Sequence, residues 1–297
     1  MSRLKEALES CAEDVVEALS SYVPESSDVD ATLYEAMRYS LMAGGKRLRP
    51  FLVLTSADLF DVPRQRALPV AAAIEMVHTY SLIHDDLPAM DDDDLRRGKP
   101  TCHKQFDEAS AILAGDALLT LAFEAVATPD AHPDAAVRAA ITHALAVAAG
   151  APGMVGGQVM DLAAEAAPEP FDLETIIRLQ NRKTGALIRF SCEAGAILAG
   201  EDGDARGALR AYAEAIGLAF QIADDLLDHE GDEAAMGKAV GKDAAAGKAT
   251  FVGLLGADGA RIRAEELVAD AVARLEPFGE RAELLRDVAR YIIDRKN

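Results

Sequence analysis

Apolar residues recur along this chain at three- and four-residue intervals, the repeat of a helix face, and strong strand-like alternation is absent. The spacing predicts helices over residues 3–20, 29–42, 50–60, 65–87, 109–127, 134–150, 171–199, 204–229 and 261–295. Polar positions gather in three loops, 43–49, 88–107 and 229–249. No linker, low-complexity tract or charge block divides the chain. The pattern therefore predicts an all-α fold in a single domain, residues 1–297.

Composition agrees. Half of the 297 residues are apolar, yet only 5% are aromatic and none is Trp. An alanine-rich, aromatic-poor core suits close-packed helices better than a β-sandwich. The 12 prolines sit mostly beside Gly, Asp or one another, where they punctuate helices. The formal charge of −20 and pI near 4.6 argue against nucleic acid or anionic lipid as partners. An anionic substrate would have to be met by local basic residues or metal ions. Cys11, Cys102 and Cys192 are widely spaced and form no CxxC, which fits a reducing cytoplasm. The start, MSRLKEALES, lacks an apolar signal core, and no apolar run reaches the roughly 18 residues of a membrane span. A cytoplasmic protein without membrane insertion is expected.

The loops change the picture. Residues 84–99 read HDDLPAMDDDDLRRGK, with Arg96, Arg97 and Lys99 directly after an aspartate run. On the 65–87 helix, His78, Ser81 and Asp85 fall at i, i+3 and i+7; Asp86 follows and Pro88 ends the helix. Asp85 and Asp91 then frame a turn able to clasp a metal from two sides. A weaker echo, DDLLDHEGDEAAMGK, begins at Asp224. There Gln221, Asp224, Asp225 and Asp228 form one polar stripe edged by Leu218, Phe220, Ile222, Leu226 and Leu227. No Lys or Arg between Arg210 and Lys238 is available to pair with it. Partly buried carboxylates without counter-ions are costly, and their hard oxygens suit Mg2+.

A further basic group is GGKRLRP, residues 44–50, where two glycines allow close backbone approach and Lys46, Arg47 and Arg49 crowd the turn. It is not a Walker loop, because GxxxxGK[ST] is absent. Lys183 beside Thr184, and Lys238, Lys242 and Lys248, add later cations. Singly, each feature has a plainer reading: a solvated or calcium-collecting loop for the acid run, a surface stripe for Asp224–Asp228, an ordinary helix residue for His78. The EF-hand spacing fails for want of a glycine at the sixth position after Asp91. Jointly, two acidic clusters and three basic loops on helices predict a site for two diphosphates and several Mg2+ ions, arginine forks gripping phosphate oxygens in pairs.

These residues also match a known pattern. The chain resembles the trans-isoprenyl diphosphate synthases, and most closely the bacterial farnesyl diphosphate synthases, through YSLMAGGKRLRP, HTYSLIHDDLPAMDDDDLRRGKPTCHKQF, GDALLTLAFE, GMVGGQVMD, KTGALI, QIADDLLD and GKDAAAGKAT. DDLPAMD is similar to the family's first aspartate motif in its long bacterial form, and DDLLD to the second. The resemblance implies an antiparallel helical bundle around a deep central cavity, the isoprenoid synthase type I fold, usually as a homodimer. It implies that Asp85, Asp91 and Asp224 lead in binding three Mg2+ ions, with Asp86, Asp225 and Asp228 in support. Arg96, Lys183, Lys238 and Lys248 then match positions that hold an allylic diphosphate. Gly45, Lys46, Arg49, His78 and Arg97 match those that hold isopentenyl diphosphate. Thr184 and Gln221, with backbone carbonyls near Lys183, match groups that face the carbocation.

Product length is a finer matter. Tyr80, with small Ser81 beside it, matches the aromatic that accompanies a fifteen-carbon product in bacterial enzymes. At ~100° per residue Ser81 lies about 40° from Asp85 on the helix and Tyr80 about 140° away, so one-helix geometry does not make Tyr80 the floor. The resemblance implies head-to-tail condensation of isopentenyl diphosphate with dimethylallyl and geranyl diphosphates to farnesyl diphosphate. A geranylgeranyl diphosphate synthase is the near alternative. A terpene cyclase would not need the full GGKRLRP set, and a silent regulatory subunit should have lost one aspartate motif. Phe251 and Val252 stand where the family pattern has Tyr-Pro.

Overall fold

A computed structural model describes residues 2–230 and 250–294 of the chain. These residues fall into two compact units, Met1–His143 and Ala144–Asn297.

The first unit is built around α4 (Arg64–Asp85), in which every residue from Ala67 to Val77 except Leu68 is buried. It is enclosed by α1 (Ser2–Tyr22), α2 (Ala31–Leu41), α3 (Leu48–Asp58) and α6 (Glu108–Ala127). A helix buried all round has no amphipathic stripe, so α4 reads as a long apolar run. The loop after it contains what period-2 analysis does not detect: a hairpin of β1 (Leu95–Arg96) and β2 (Lys99–Pro100), followed by the single turn α5 (Cys102–Gln105). Arg97 (φ 55°) and Gly98 (φ 75°) form its two-residue turn, both in the left-handed region, as a type I′ hairpin requires. Helix α6 begins at Asp107, whose carboxylate accepts from the Ser110 amide at 2.8 Å.

The boundary falls within α7 (Ala135–Ala149), and the second unit holds the end of that helix, then α8 (Met154–Glu165), α9 (Leu173–Lys183), α10 (Gly185–Leu198), α11 (Asp204–Glu230), α12 (Phe251–Arg274), a 3-10 segment (Glu276–Ala282) and α13 (Glu283–Asp294). Helix α10 is buried along nearly its whole length, and α11 packs on both α10 and α12. Asp172 caps α9 through the Thr175 amide, and Thr250 caps α12 through that of Gly253.

The all-α expectation holds, with corrections of detail. The helix predicted over 171–199 is two helices that meet at Thr184, and α8 lies where no helix was predicted. Helix α12 starts at Phe251 but leaves helical geometry at Gly256 (φ 71°), so its regular part begins close to the predicted 261. Phe251 itself, 1% exposed, fills the core at the point where the sequence departs from the family pattern. The expectation of no stretch of membrane-spanning length also needs amendment. Averaged over 18 residues, α6 and the stretch Ala135–Glu165 are long and apolar enough, because a mean tolerates scattered acids such as Asp116 and Glu124.

Candidate active site

In the first unit the predicted basic and acidic residues converge on the C-terminal half of α4. Gly44 (φ 90°), Gly45 (φ 119°) and Arg47 (φ 47°) turn the chain sharply ahead of α3. Arg47 is buried, and its guanidinium donates to Glu75 Oε1 on α4 and to the Leu41 carbonyl. Next in sequence, Lys46 is exposed, and Arg49 reaches His78, Nη1 to Nε2 at 3.4 Å. Arg97, from the hairpin turn, donates to the Gly44 carbonyl, and its guanidinium lies where a Cβ on Gly45 would come within 2.7–2.8 Å of it. Gly45, Lys46, Arg49, His78 and Arg97 are thus on neighbouring elements of the first unit.

Burial pushes the His78 imidazole well below its usual pKa, and the guanidinium charges of Arg49, Arg97, Arg47 and Arg96 act in the same direction. An arginine has only donors, so Nε2 of His78 accepts and the proton sits on Nδ1. Ser81 donates to the His78 carbonyl at 2.9 Å, a local bond within the helix. Tyr80 is buried, its ring edge-on to His84 with centroids 5.7 Å apart. Burial, with Asp85 nearby, raises the Tyr80 hydroxyl to about 12.

The first aspartate motif divides its labour. Asp85 ends α4 half-buried, and the Asp91 amide donates to the Asp85 carbonyl at 2.8 Å, closing the turn that brings the exposed Asp91 back to it. Asp86 is 3% exposed and is held by Arg96, with Nε at 2.7 and 3.0 Å from its two oxygens and Nη2 also donating. A shallow cleft beside this pair is lined by residues including Tyr39, Thr79, Leu82 and Arg97.

In the second unit, Gln221, Asp225 and Asp228 are half-buried on α11 and Asp224 is exposed. Asp225 Oδ2 accepts from the Phe251 amide at 2.7 Å, so one oxygen is engaged in tying α12 to α11. Lys183 closes α9 with its ammonium against Asp161 of α8, and Thr184 stands in the gap before α10. Lys238 and Lys248 lie outside the described residues.

The donor set fits Mg2+ shared with phosphate. Among the described residues no three or more His, Cys, Asp or Glu side chains are gathered to hold a metal alone. Mg2+ takes one or two carboxylates and completes its shell with phosphate oxygens and water, which Asp85 and Asp91 on their closed turn can offer.

Two residues escaped the sequence reading. Glu75, 2% exposed, is a single acid inside an apolar run one turn before His78, and its position there was the available signal. Asp161, the partner of Lys183, closes the GMVGGQVMD motif.

Comparison with known proteins now gives the class. The polyprenyl synthetase family model matches residues 30–280, and the chain belongs to that family. It is similar to farnesyl diphosphate synthase of Escherichia coli, 47% identical over 97% of each chain. It is also similar to a chloroplastic geranylgeranyl pyrophosphate synthase of Catharanthus roseus, 45% identical over 89% of this chain and 74% of that one. The crystal structure of an FPP/GFPP synthase from Zymomonas mobilis matches at a TM-score of 0.91 and 52% identity, covering 98% of this chain and 99% of that one. The all-α fold is that of the isoprenyl synthases.

Proposed function

We propose that the protein is a Mg2+-dependent farnesyl diphosphate synthase, adding isopentenyl diphosphate to dimethylallyl and then geranyl diphosphate. The observation that carries this reading is the 47% identity to the E. coli farnesyl diphosphate synthase across 97% of both chains, with DDLPAMD, DDLLD and GGKRLRP all intact. We assign isopentenyl diphosphate to Gly45, Lys46, Arg49, His78 and Arg97, whose clustering in one unit supports it. We assign the allylic diphosphate to Arg96, Lys183, Lys238 and Lys248. Asp85, Asp91 and Asp224 would lead in holding Mg2+ with Asp228 in support, and Asp86 and Asp225 would brace them through Arg96 and the Phe251 amide.

Bound Mg2+ supplies Lewis-acid stabilisation of the negative charge on a departing diphosphate. The chain's own groups do the rest. Lys183 meets the same charge, exchanging Asp161 for a phosphate oxygen. The allylic C1–O bond breaks with its electron pair leaving on diphosphate. The resulting cation meets neutral oxygen dipoles of Thr184 and Gln221, which stabilise it without trapping it. The C3–C4 double bond of isopentenyl diphosphate then attacks C1, and loss of a C2 proton to the released diphosphate restores a double bond. Tyr80, with Ser81 beside it, limits how far the growing chain extends.

A homodimer is our reading of the assembly, supported by the exposed Ile112 and Leu113 on α6; sedimentation velocity tests it. A cytoplasmic setting is supported by three cysteines that are free and buried, and the acidic surface argues against nucleic acid. We take residues 1–297 as one catalytic domain.

The test is to incubate purified protein with Mg2+, isopentenyl diphosphate and each allylic primer in turn, then size the products. Farnesyl diphosphate as the major product is expected. No condensation at all would defeat the reading. A twenty-carbon product would favour the geranylgeranyl reading, which the similarity to the C. roseus protein supports.

A further inference from the structure

We infer that Glu75 is a positioning residue for isopentenyl diphosphate, acting through Arg47 to hold the 44–50 loop in its binding shape. The inference rests on the assignment of that diphosphate to Lys46, Arg49, His78 and Arg97. Glu75 is 2% exposed and Arg47 4%, so neither reaches a substrate from solvent; they face each other as a buried ion pair. Arg47 also occupies the left-handed region (φ 47°), which a side chain other than glycine adopts only when its surroundings over-determine it. Glu75 Oε1 and the Leu41 carbonyl, both accepting from the guanidinium, are those surroundings.

The consequence reaches both flanks. Fixing the Arg47 backbone aims exposed Lys46 to one side and sets the start of α3, from which Arg49 extends to His78 at 3.4 Å. Glu75 and His78 are i and i+3 on α4, so a single helix face carries the anchor and a ligand-facing group one turn apart. The carboxylate also counters a crowd of like charges. Burial lowers the Arg97 pKa and the other arginines add to that effect, whereas Glu75 raises it. Arg97 in turn donates to the Gly44 carbonyl, closing the loop from the opposite side. Of the four guanidiniums whose charge reaches His78, Arg96 is matched by buried Asp86 and Arg47 by buried Glu75.

A structural role alone and a positioning role differ in what they change. Replacing a buried ion pair by apolar residues of similar size is often neutral for stability, so Arg47→Met with Glu75→Leu separates the two. The expected result is a folded enzyme of near-normal melting temperature whose KM for isopentenyl diphosphate rises at least tenfold. Its KM for geranyl diphosphate should stay within twofold. Glu75→Gln, which keeps the shape and one acceptor oxygen, should raise the isopentenyl KM by a smaller factor, and Glu75→Asp should restore part of it. If the double variant does not fold, Glu75→Gln decides alone. An isopentenyl KM within twofold of the parent in a folded variant overturns the inference. Arg49→Ala is the control for the underlying assignment: if it too leaves that KM unchanged, the assignment fails, whereas a raised KM there with none in the Glu75 variants removes only Glu75.

Discussion

Gly115 of α6 lies so close to the imidazole of His84 that a Cβ at position 115 would overlap its Nε2. On that same side Nε2 contacts the Ile112 carbonyl at 3.1 Å, and the Tyr80 ring stands edge-on to the imidazole with centroids 5.7 Å apart. His84 is therefore a wedge between α6 and Tyr80. If Tyr80 limits the product, His84→Ala opens room for its ring and should raise the twenty-carbon share from trace to a major fraction. Gly115→Ala drives the wedge toward Tyr80 and should act in the opposite sense, with geranyl diphosphate accumulating. Condensation of dimethylallyl diphosphate should stay within about threefold in both. Product sizing by mass spectrometry checks this, and an unchanged distribution in both variants would sink it.

Gly157 holds a similar relation to Lys183. A Cβ there would overlap the Lys183 backbone nitrogen, and backbone, unlike an imidazole, cannot swing aside. Gly157→Ala should displace the junction at Lys183 and Thr184 between α9 and α10. A shift of about 1 Å in positioned groups can cost roughly 100-fold. We expect kcat to fall by about that factor with the isopentenyl KM little changed, read by steady-state kinetics. A kcat within threefold of the parent would show the junction to be unconnected with the chemistry.

These two glycines also mark how far the sequence could be read. The long helices of the first unit, the GGKRLRP turn and the Asp85–Asp91 turn were legible because each follows from local spacing or from residues adjacent in the chain. Helix α8 was not, since Pro152, Gly153, Gly156 and Gly157 argue for a loop by local rules. Gly157 is there because another backbone passes close to it. The break at Thr184 was hidden for a related reason: Gly185 packs against Gly217 of α11, whose own Cβ would lie 3.5 Å from the Gly185 Cα. Glu75 likewise meets a partner 28 residues earlier in the chain, a pairing that no periodicity encodes.

His78 should remain neutral through the range where an ordinary histidine titrates, because burial and the surrounding arginines hold its pKa well below 6.5. The unfolded imidazole takes up a proton near 6.5 that the folded one refuses. This group's contribution to stability is therefore complete above about pH 6.5 and is lost as pH falls below that value toward the folded pKa. Nitrogen-15 NMR of labelled histidines should show His78 as the Nδ1–H tautomer from pH 6.5 to 8. A positively charged imidazole at pH 6.5 would contradict the arrangement.

Removing the metal should abolish activity without unfolding the chain. Chelation by EDTA is expected to stop turnover, and added Mg2+ to restore it, while the helical circular dichroism persists. Asp85→Ala and Asp224→Ala should each lower kcat by several orders of magnitude, if the proposed assignment of both as Mg2+ ligands holds. Asp225→Ala should cost less in rate but more in stability, because it removes the oxygen that accepts from the Phe251 amide and joins α11 to α12. Near-normal rates for the Asp85 or Asp224 alanine variant would refute that residue's proposed role as a Mg2+ ligand.

Acid should loosen the second unit through Glu193. This carboxylate is 7% exposed on α10, within 2.7 Å of Arg206 Nε and 3.0 Å of Arg210 Nε. Burial alone would raise its pKa, but hydrogen bonds from Arg210 and Arg206 outweigh that and leave it below the ordinary 4.5. The unfolded carboxyl thus takes a proton at higher pH than the folded one. The stabilisation is complete above about pH 4.5 and disappears as pH falls through the lower folded value. Glu193→Ala at pH 7 should cost about 1–3 kcal/mol in urea unfolding, because Arg210 is half-exposed and Arg206 keeps Asp202 as a partner. Glu193→Gln should lose less at pH 7 and show a shallower fall in stability between pH 5 and 3 than the parent. Parallel pH profiles for the parent and the glutamine variant would remove Glu193 from the account of acid sensitivity.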